Sequence, residues 1–266
     1  PNDATAAFFR EMVGFFVQRL RSQNHQVRWV FVKYLRLVLV SCELLDDCDP
    51  DELTEALGGV LAEPQLRQKL IGLELLKTVQ RHPRFRAFAR QAFLALVGAD
   101  PFPEARKTAL RYVELTPDTA DVLVFRCADR DPGVRLELLT RLVREGTDVC
   151  ALRPHSRYLL LFYVACRGGE ELRALFFRLL FSALGEGNGP AEHAHMLERL
   201  HALLALDLEL CLAHEKLLLT LSHFLAVLFQ RASLEFLARL VDDCLAAVFP
   251  TRGRRDPRLF PQALLV

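Results

Sequence analysis

The chain has 266 residues, 52% of them hydrophobic and 25% charged, and its formal net charge is +1. That balance excludes a disordered polymer and describes a globular protein with a large core. The sequence opens on Pro1, has no basic segment leading into an apolar core and small-residue cleavage site, and has no apolar run of about 18 residues. A soluble protein with no membrane partner, trimmed from something longer, is expected.

The first apolar helical pattern covers about 4 to 21, and across the turn residues 22–24 it meets a second at about 25 to 42. Further pairs follow at about 50 to 62 with 64 to 80, 83 to 97 with 103 to 114, 117 to 129 with 132 to 145, and 154 to 166 with 170 to 184. Beyond the glycine-rich loop 185–190, apolar patterns at about 190 to 206, 208 to 230 and 232 to 249 lead to Pro250 and a basic tail over 250–266. No alternating run bounded by hairpin turns occurs, so the fold class expected is all-α.

The second helix of each of the first five pairs opens on the same pattern. Gln26-Val27-Arg28, Gln65-Leu66-Arg67, Glu104-Ala105-Arg106, Gly133-Val134-Arg135 and Glu171-Leu172-Arg173 put arginines 39, 39, 29 and 38 residues apart. Turn residues stand before each, including Pro64, Pro103 and Asp131 to Gly133; Asp or Ser there caps free amides, and proline is tolerated in a first turn. Two helices per period of about 39 residues is the signature of HEAT-type repeats, which stack into a right-handed α-solenoid with one continuous core. Residues 1–249 are read as one such solenoid of about six helix pairs.

Charge is segregated along the chain. Residues 19 to 36 carry Arg19, Arg21, Arg28, Lys33 and Arg36 with no acid. Residues 43 to 63 carry eight acids and no base, and residues 67 to 90 return seven bases against Glu74. Solvated helix faces explain each cluster taken singly. The recurrent arginines have a structural use, pairing with an acid in a neighbouring turn, and that reading is preferred to a ligand role for Arg28, Arg67, Arg106, Arg135 and Arg173. Lys33, Arg36, Lys77, Lys107, Arg111, Arg141 and Arg144 lie further down the second helices with few acids at i±3 or i±4. For them an anion-binding inner face and simple solvation both stay open.

In "QNHQVRWVFVKYLRLVL" and "EARKTALRYVELTPDTADVLVFRCADRDPGVRLELLTRLV" the chain resembles the G-type HEAT-repeat subunits of condensin complexes. The resemblance spans about residues 15 to 180 and lies in an ordered set: Ala105-Arg106-Lys107, Leu110, Thr116 and Thr119, Arg126, Asp129-Arg130-Asp131, then Val134-Arg135. It implies a truncated or reduced member of that family. It also implies a non-catalytic chromosome-organising protein that binds a kleisin subunit of an SMC complex and, with it, double-stranded DNA in a basic groove. Chromosome condensation in mitosis follows, in the nucleus with a cytoplasmic pool. The DNA-binding candidates on that basis are Arg28, Lys33, Arg36, Arg67, Lys69, Lys77, Arg106, Lys107 and Arg111.

Enzymatic readings find little support in the residues. Trp29, the single tryptophan, is read as core. Glu192, His193, His195, His201 and Cys211 contain nitrogen and sulfur donors, but positions i and i+2 diverge by about 200° on a helix, so no metal or other cofactor is expected. There is no phosphate-binding glycine loop and no nucleophile elbow, and no small-molecule substrate is expected. The seven cysteines form an odd set mostly inside apolar helical patterns, which suits a reducing compartment. The alternative to a DNA-binding subunit is a generic HEAT adaptor for a peptide or helical protein. Leu217, Leu218, Leu221, Phe224, Leu225, Leu228 and Phe229 exceed one amphipathic face, and are either deep core or a docking surface.

Overall fold

Turn chemistry fixes where the helices begin. The Asn24 side chain accepts a hydrogen bond from the Gln26 N–H, Asp49 accepts from Asp51 and Glu52, and Thr116 forms a reciprocal box with Thr119. Pro50, Pro103, Pro117 and Pro154 fill first turns, where a missing N–H costs nothing. The computed structural model describes residues 3–39, 45, 46, 48–184, 195, 196, 198–200, 215–231, 236–238, 240 and 241. Among the described residues all regular structure is helical, with no strand.

The α-helices are α1 (Asp3–Leu20), α2 (His25–Val38), α3 (Pro50–Leu61), α4 (Leu66–Val79), α5 (Arg86–Ala99), α6 (Pro103–Tyr112), α7 (Pro117–Val124), α8 (Pro132–Arg144), α9 (Pro154–Arg167), α10 (Glu170–Leu184) and α11 (Glu215–Arg231). The expected helix over 83 to 97 opens instead as a 3-10 turn, Pro83–Phe85, because the His82 ring accepts from the Arg84 N–H and holds that turn tight. The one expected over 117 to 129 is α-helical only to Val124 and closes as a second 3-10 turn, Phe125–Ala128. The expected helices at 190 to 206 and 232 to 249, and the basic tail, lie wholly or mostly outside the described residues.

By packing the chain divides into two compact units, Pro1–Leu115 with Arg130–Glu137, and Thr116–Asp129 with Leu138–Val266. In the first unit α1 packs on α2 and α3, α3 on α4, and α5 on α6, while the second helices form a row in which α2 meets α4 and α4 meets α6. Their core face is a pair of apolar residues three positions apart: Val32 and Leu35 on α2, Leu73 and Leu76 on α4, Leu110 and Val113 at α6, all buried.

In the second unit α9 packs against α7, α10, α11 and the 125–128 turn. Phe177 and Phe181 of α10 meet the Phe224 ring of α11, and Leu221, Phe224, Leu225 and Leu228 are buried. The surplus apolar character of the described residues of this helix is therefore mainly core, with Phe229 and Leu219 the exposed large residues among them, and Leu217 and Leu218 lie outside the described side chains. No helix among the described residues is long and apolar enough to cross a membrane.

Candidate nucleic-acid interface

Three of the five arginines that open the second helices, Arg28, Arg106 and Arg135, are structural, and Arg173 is exposed with no ion pair among the described residues. Arg28 donates from Nη1 to the carbonyls of Ser22 (2.6 Å) and Gln23 (3.1 Å), and Arg106 to those of Asp100 (2.7 Å) and Pro101 (3.4 Å). Arg135 reaches the Arg130 carbonyl at 3.3 Å. Each guanidinium folds back over its own turn and satisfies loop carbonyls that would otherwise need water. Arg28 also binds Glu63, which stands in the turn before α4, one pair further along.

On α4 this role belongs to Lys69, not to Arg67. Lys69 is 6% exposed, and its ammonium binds Asp100, in the turn before α6, at 2.5 Å. Counting from Lys69, the residues four and seven further on are the buried Leu73 and Leu76; counting from Arg67 they are Ile71 and Glu74, which are only partly buried. In α2 and α6 the same count from Arg28 and Arg106 gives Val32 and Leu35, and Leu110 and Val113. The structural spacing of the ladder is thus 41 and 37 residues where the sequence motif gave 39 and 39. Lys69 is corrected from a surface candidate to a buried structural cation.

The segregated charge of the chain is interleaved by the fold. Arg21 meets Glu52 (3.3 Å) and Glu55 (2.7 Å), and Asp46 takes His82 (2.8 Å) on its carboxylate and Arg84 (2.6 Å) on its carbonyl. Lys107 pairs with Glu104 at 2.6 Å, and its stem lies against Gly133: a Cβ at 133 would stand 3.3 Å from Lys107 Nζ and 3.1 Å from Asp131 Oδ1. Arg111 grips both oxygens of Glu137, at 3.2 and 2.6 Å, which raises its pKa further. Arg141 is buried.

Described bases without an ion pair are spread along the chain, among them Arg19, Arg81, Arg86, Arg90, Arg130, Arg167, Arg173 and Arg178, but one group of them shares two neighbouring helices. Among the described residues Lys33, Arg36, Arg67 and Lys77 form no ion pair, and they lie on the adjacent helices α2 and α4. Lys33 and Arg67 both lie over Trp29, 4.4 and 5.6 Å from its ring centroid. Trp29 is half-buried beneath these cations, which corrects the expectation of a core tryptophan. Lys77 lies 4.5 Å from the centre of the Tyr112 ring, whose hydroxyl donates to Glu74. Burial, then that hydrogen bond, push the Tyr112 phenol up to about 12, while the positive charges of Arg111 and then Arg36 work the other way. Cations seated on aromatic faces stay exposed yet oriented, which suits them to phosphate oxygens.

Nothing else in the described residues gathers into a reactive centre. No group of three or more His, Cys, Asp and Glu side chains is placed to hold a metal ion among them, and of the set around His193 only His195 is described. Cys127 is buried against the Leu159 carbonyl, and burial pushes its thiol up to about 12. Cys150 is raised for the same reason, so neither is an activated thiolate.

Fold and site together define an all-helical protein with an aromatic-backed cationic face on its second helices. No protein-family model matches the chain, and no curated protein matches it.

Proposed function

We propose that the chain is a right-handed HEAT-repeat solenoid that serves as a non-catalytic, condensin-like chromosome subunit, binding double-stranded DNA on the second-helix face together with a kleisin segment of an SMC complex. The observation that carries the reading is the set Lys33, Arg36, Arg67 and Lys77, exposed or half-exposed on adjacent helices, while Arg28 and Lys69 on the same two helices are neutralised. A duplex is a rod bearing one negative charge per about 1.7 Å, so cations spread over neighbouring helices meet several phosphates and read no bases. Arg28, Lys69 and Arg106 stabilise the turns that hold this face, and Lys107 and Arg111 contribute through charges already shared with Glu104 and Glu137.

Fluorescence anisotropy of a mixed-sequence duplex, titrated with the protein in the presence and absence of the kleisin fragment, tests it. The expected result is saturable binding that is indifferent to sequence and weakens steeply with salt. Absence of duplex binding with the kleisin fragment present, alongside retained binding of that fragment, would leave an adaptor for helical proteins as the better account.

A further inference from the structure

The chain's single tryptophan carries two cations on its ring. Lys33 of α2 and Arg67 of α4 come from separate helices that pack together, and they lie over Trp29 at 4.4 and 5.6 Å from the ring centroid. The ring is half-buried, and among the described residues its indole N–H has no acceptor, whereas a tryptophan placed for packing usually gives that N–H a partner. The repeat does not ask for an aromatic here either. One residue past the ladder base stand Leu70 on α4 and Lys107 on α6.

Two like charges share one ring only where something holds them and acids are kept away. Lys33 has no acid three or four residues to either side. Arg67 has Glu63 four residues before it, but that carboxylate is 6% exposed and already receives both Nε and Nη2 of Arg28. The ladder arginine thus occupies the one acid within four residues of Arg67, and the indole quadrupole holds the guanidinium instead. An ammonium and a guanidinium resting on a π face keep their outer N–H groups free to donate. The pair offers donors and positive charge with no acceptor, which is the chemistry that a phosphoryl group meets.

We infer that Trp29 is a positioning residue, which fixes Lys33 and Arg67 as one phosphoryl-binding unit across α2 and α4. The inference rests on the nucleic-acid reading above and adds how that face is built, with the ring innermost, the cations on it and the phosphates outermost. Without the ring, the ligand itself has to order two long side chains, and that ordering weakens binding. Trp29 acts through the two cations and stacks on no base.

Because Trp29 is the only tryptophan, its fluorescence reports on this unit alone. Titrating the intact protein with inorganic pyrophosphate, at ionic strength matched with sodium chloride, should change that emission saturably, and Lys33→Gln with Arg67→Gln should remove the change. No saturable change, or the same change in the double variant, overturns the inference. With the mixed-sequence duplex and the kleisin fragment, Trp29→Leu should bind about fivefold more weakly, the scale of two exposed cation–π contacts, and Trp29→Phe should keep most of the affinity. In the background of Lys33→Gln with Arg67→Gln, Trp29→Leu should weaken binding no further. An equal loss there would mean that the ring meets a base or acts through the fold, and overturns the positioning role. Circular dichroism melts fix a temperature at which every variant is folded. A pyrophosphate response without duplex binding would remove the DNA reading and keep the phosphoryl unit, while duplex binding without that response would do the opposite.

Discussion

Lys69 shows how one residue can be basic, placed among exposed-looking helix positions, and still belong to the interior. Its ammonium and the Asp100 carboxylate are both buried, and Asp100 also accepts the Phe102 N–H at 2.9 Å. Lys69→Ala strands that carboxylate and is expected to cost about 3 to 5 kcal/mol in chemical denaturation. Lys69→Met with Asp100→Asn should recover most of the loss, because the amide keeps the turn's acceptor and no charge is left buried. Failure of the double variant to recover would mean that the pair does more than neutralise itself. Tyr112 gives the second residue-scale test. Its folded pKa of about 12 lies above its ordinary value of 10.0, so between those pH values the unfolded chain has lost a proton that the folded chain keeps. The contribution is therefore intact below pH 10 and falls away as pH rises towards 12. Tyr112→Phe should flatten that decline in denaturation midpoints measured across the window, and an identical decline in the variant would assign it to other groups.

At the scale of the element, α8 carries its stop and start signals at both ends. The Asp131 carboxylate accepts the Val134 N–H at 3.0 Å. Beyond the other end, Gly146 adopts φ 62°, with the Thr147 N–H bonded to the Leu142 carbonyl and the Gly146 N–H to that of Val143. Asp131→Ala should cost about 0.5 to 2 kcal/mol and Gly146→Ala about 1 kcal/mol, the latter through backbone strain at a left-handed position. Thermal melts check both, and duplex affinity of the folded variants should not move; a matching loss of affinity would make Asp131 a binding residue. Punctuation of this kind is why the helices were legible from sequence. Ser, Asn, Asp, Pro and Gly act locally, so their effects survive without knowledge of the fold. The register of α4 was not legible from the motif, because Gln65-Leu66-Arg67 imitates Gln26-Val27-Arg28 while the core obeys apolar spacing. One signal was available: seven residues after Arg67 stands Glu74, where Arg28 has Leu35, and Lys69 restores leucine at both core positions.

At the scale of the whole molecule, the sequence could name bases but not sort them, since most ion pairs depend on a distant acid that the fold brings opposite, as Glu137 is 26 residues from Arg111 and Glu63 is 35 from Arg28. Net charge hides the result as well, because on α2 and α4 pairing consumes Arg28 and Lys69 and spares Lys33, Arg36, Arg67 and Lys77. The spared set is the one to reverse. With the kleisin fragment present, four phosphate contacts would give the wild type a slope of about 3 to 4 log units of affinity per log unit of salt. Replacing Lys33, Arg36, Arg67 and Lys77 by Glu should remove most of that slope and most of the affinity, with helicity preserved, because none of the four is buried. Replacing Lys107 and Arg111 instead should do less to binding and more to stability, since Glu104 and Glu137 would then face new like charges across pairs that are now closed at 2.6 Å. Salt titrations of both variants beside denaturant melts separate the two effects. Equal losses of affinity in the two sets would show that the whole basic surface acts as a diffuse field, and an unchanged slope in the four-site variant would remove the second-helix face from DNA binding altogether.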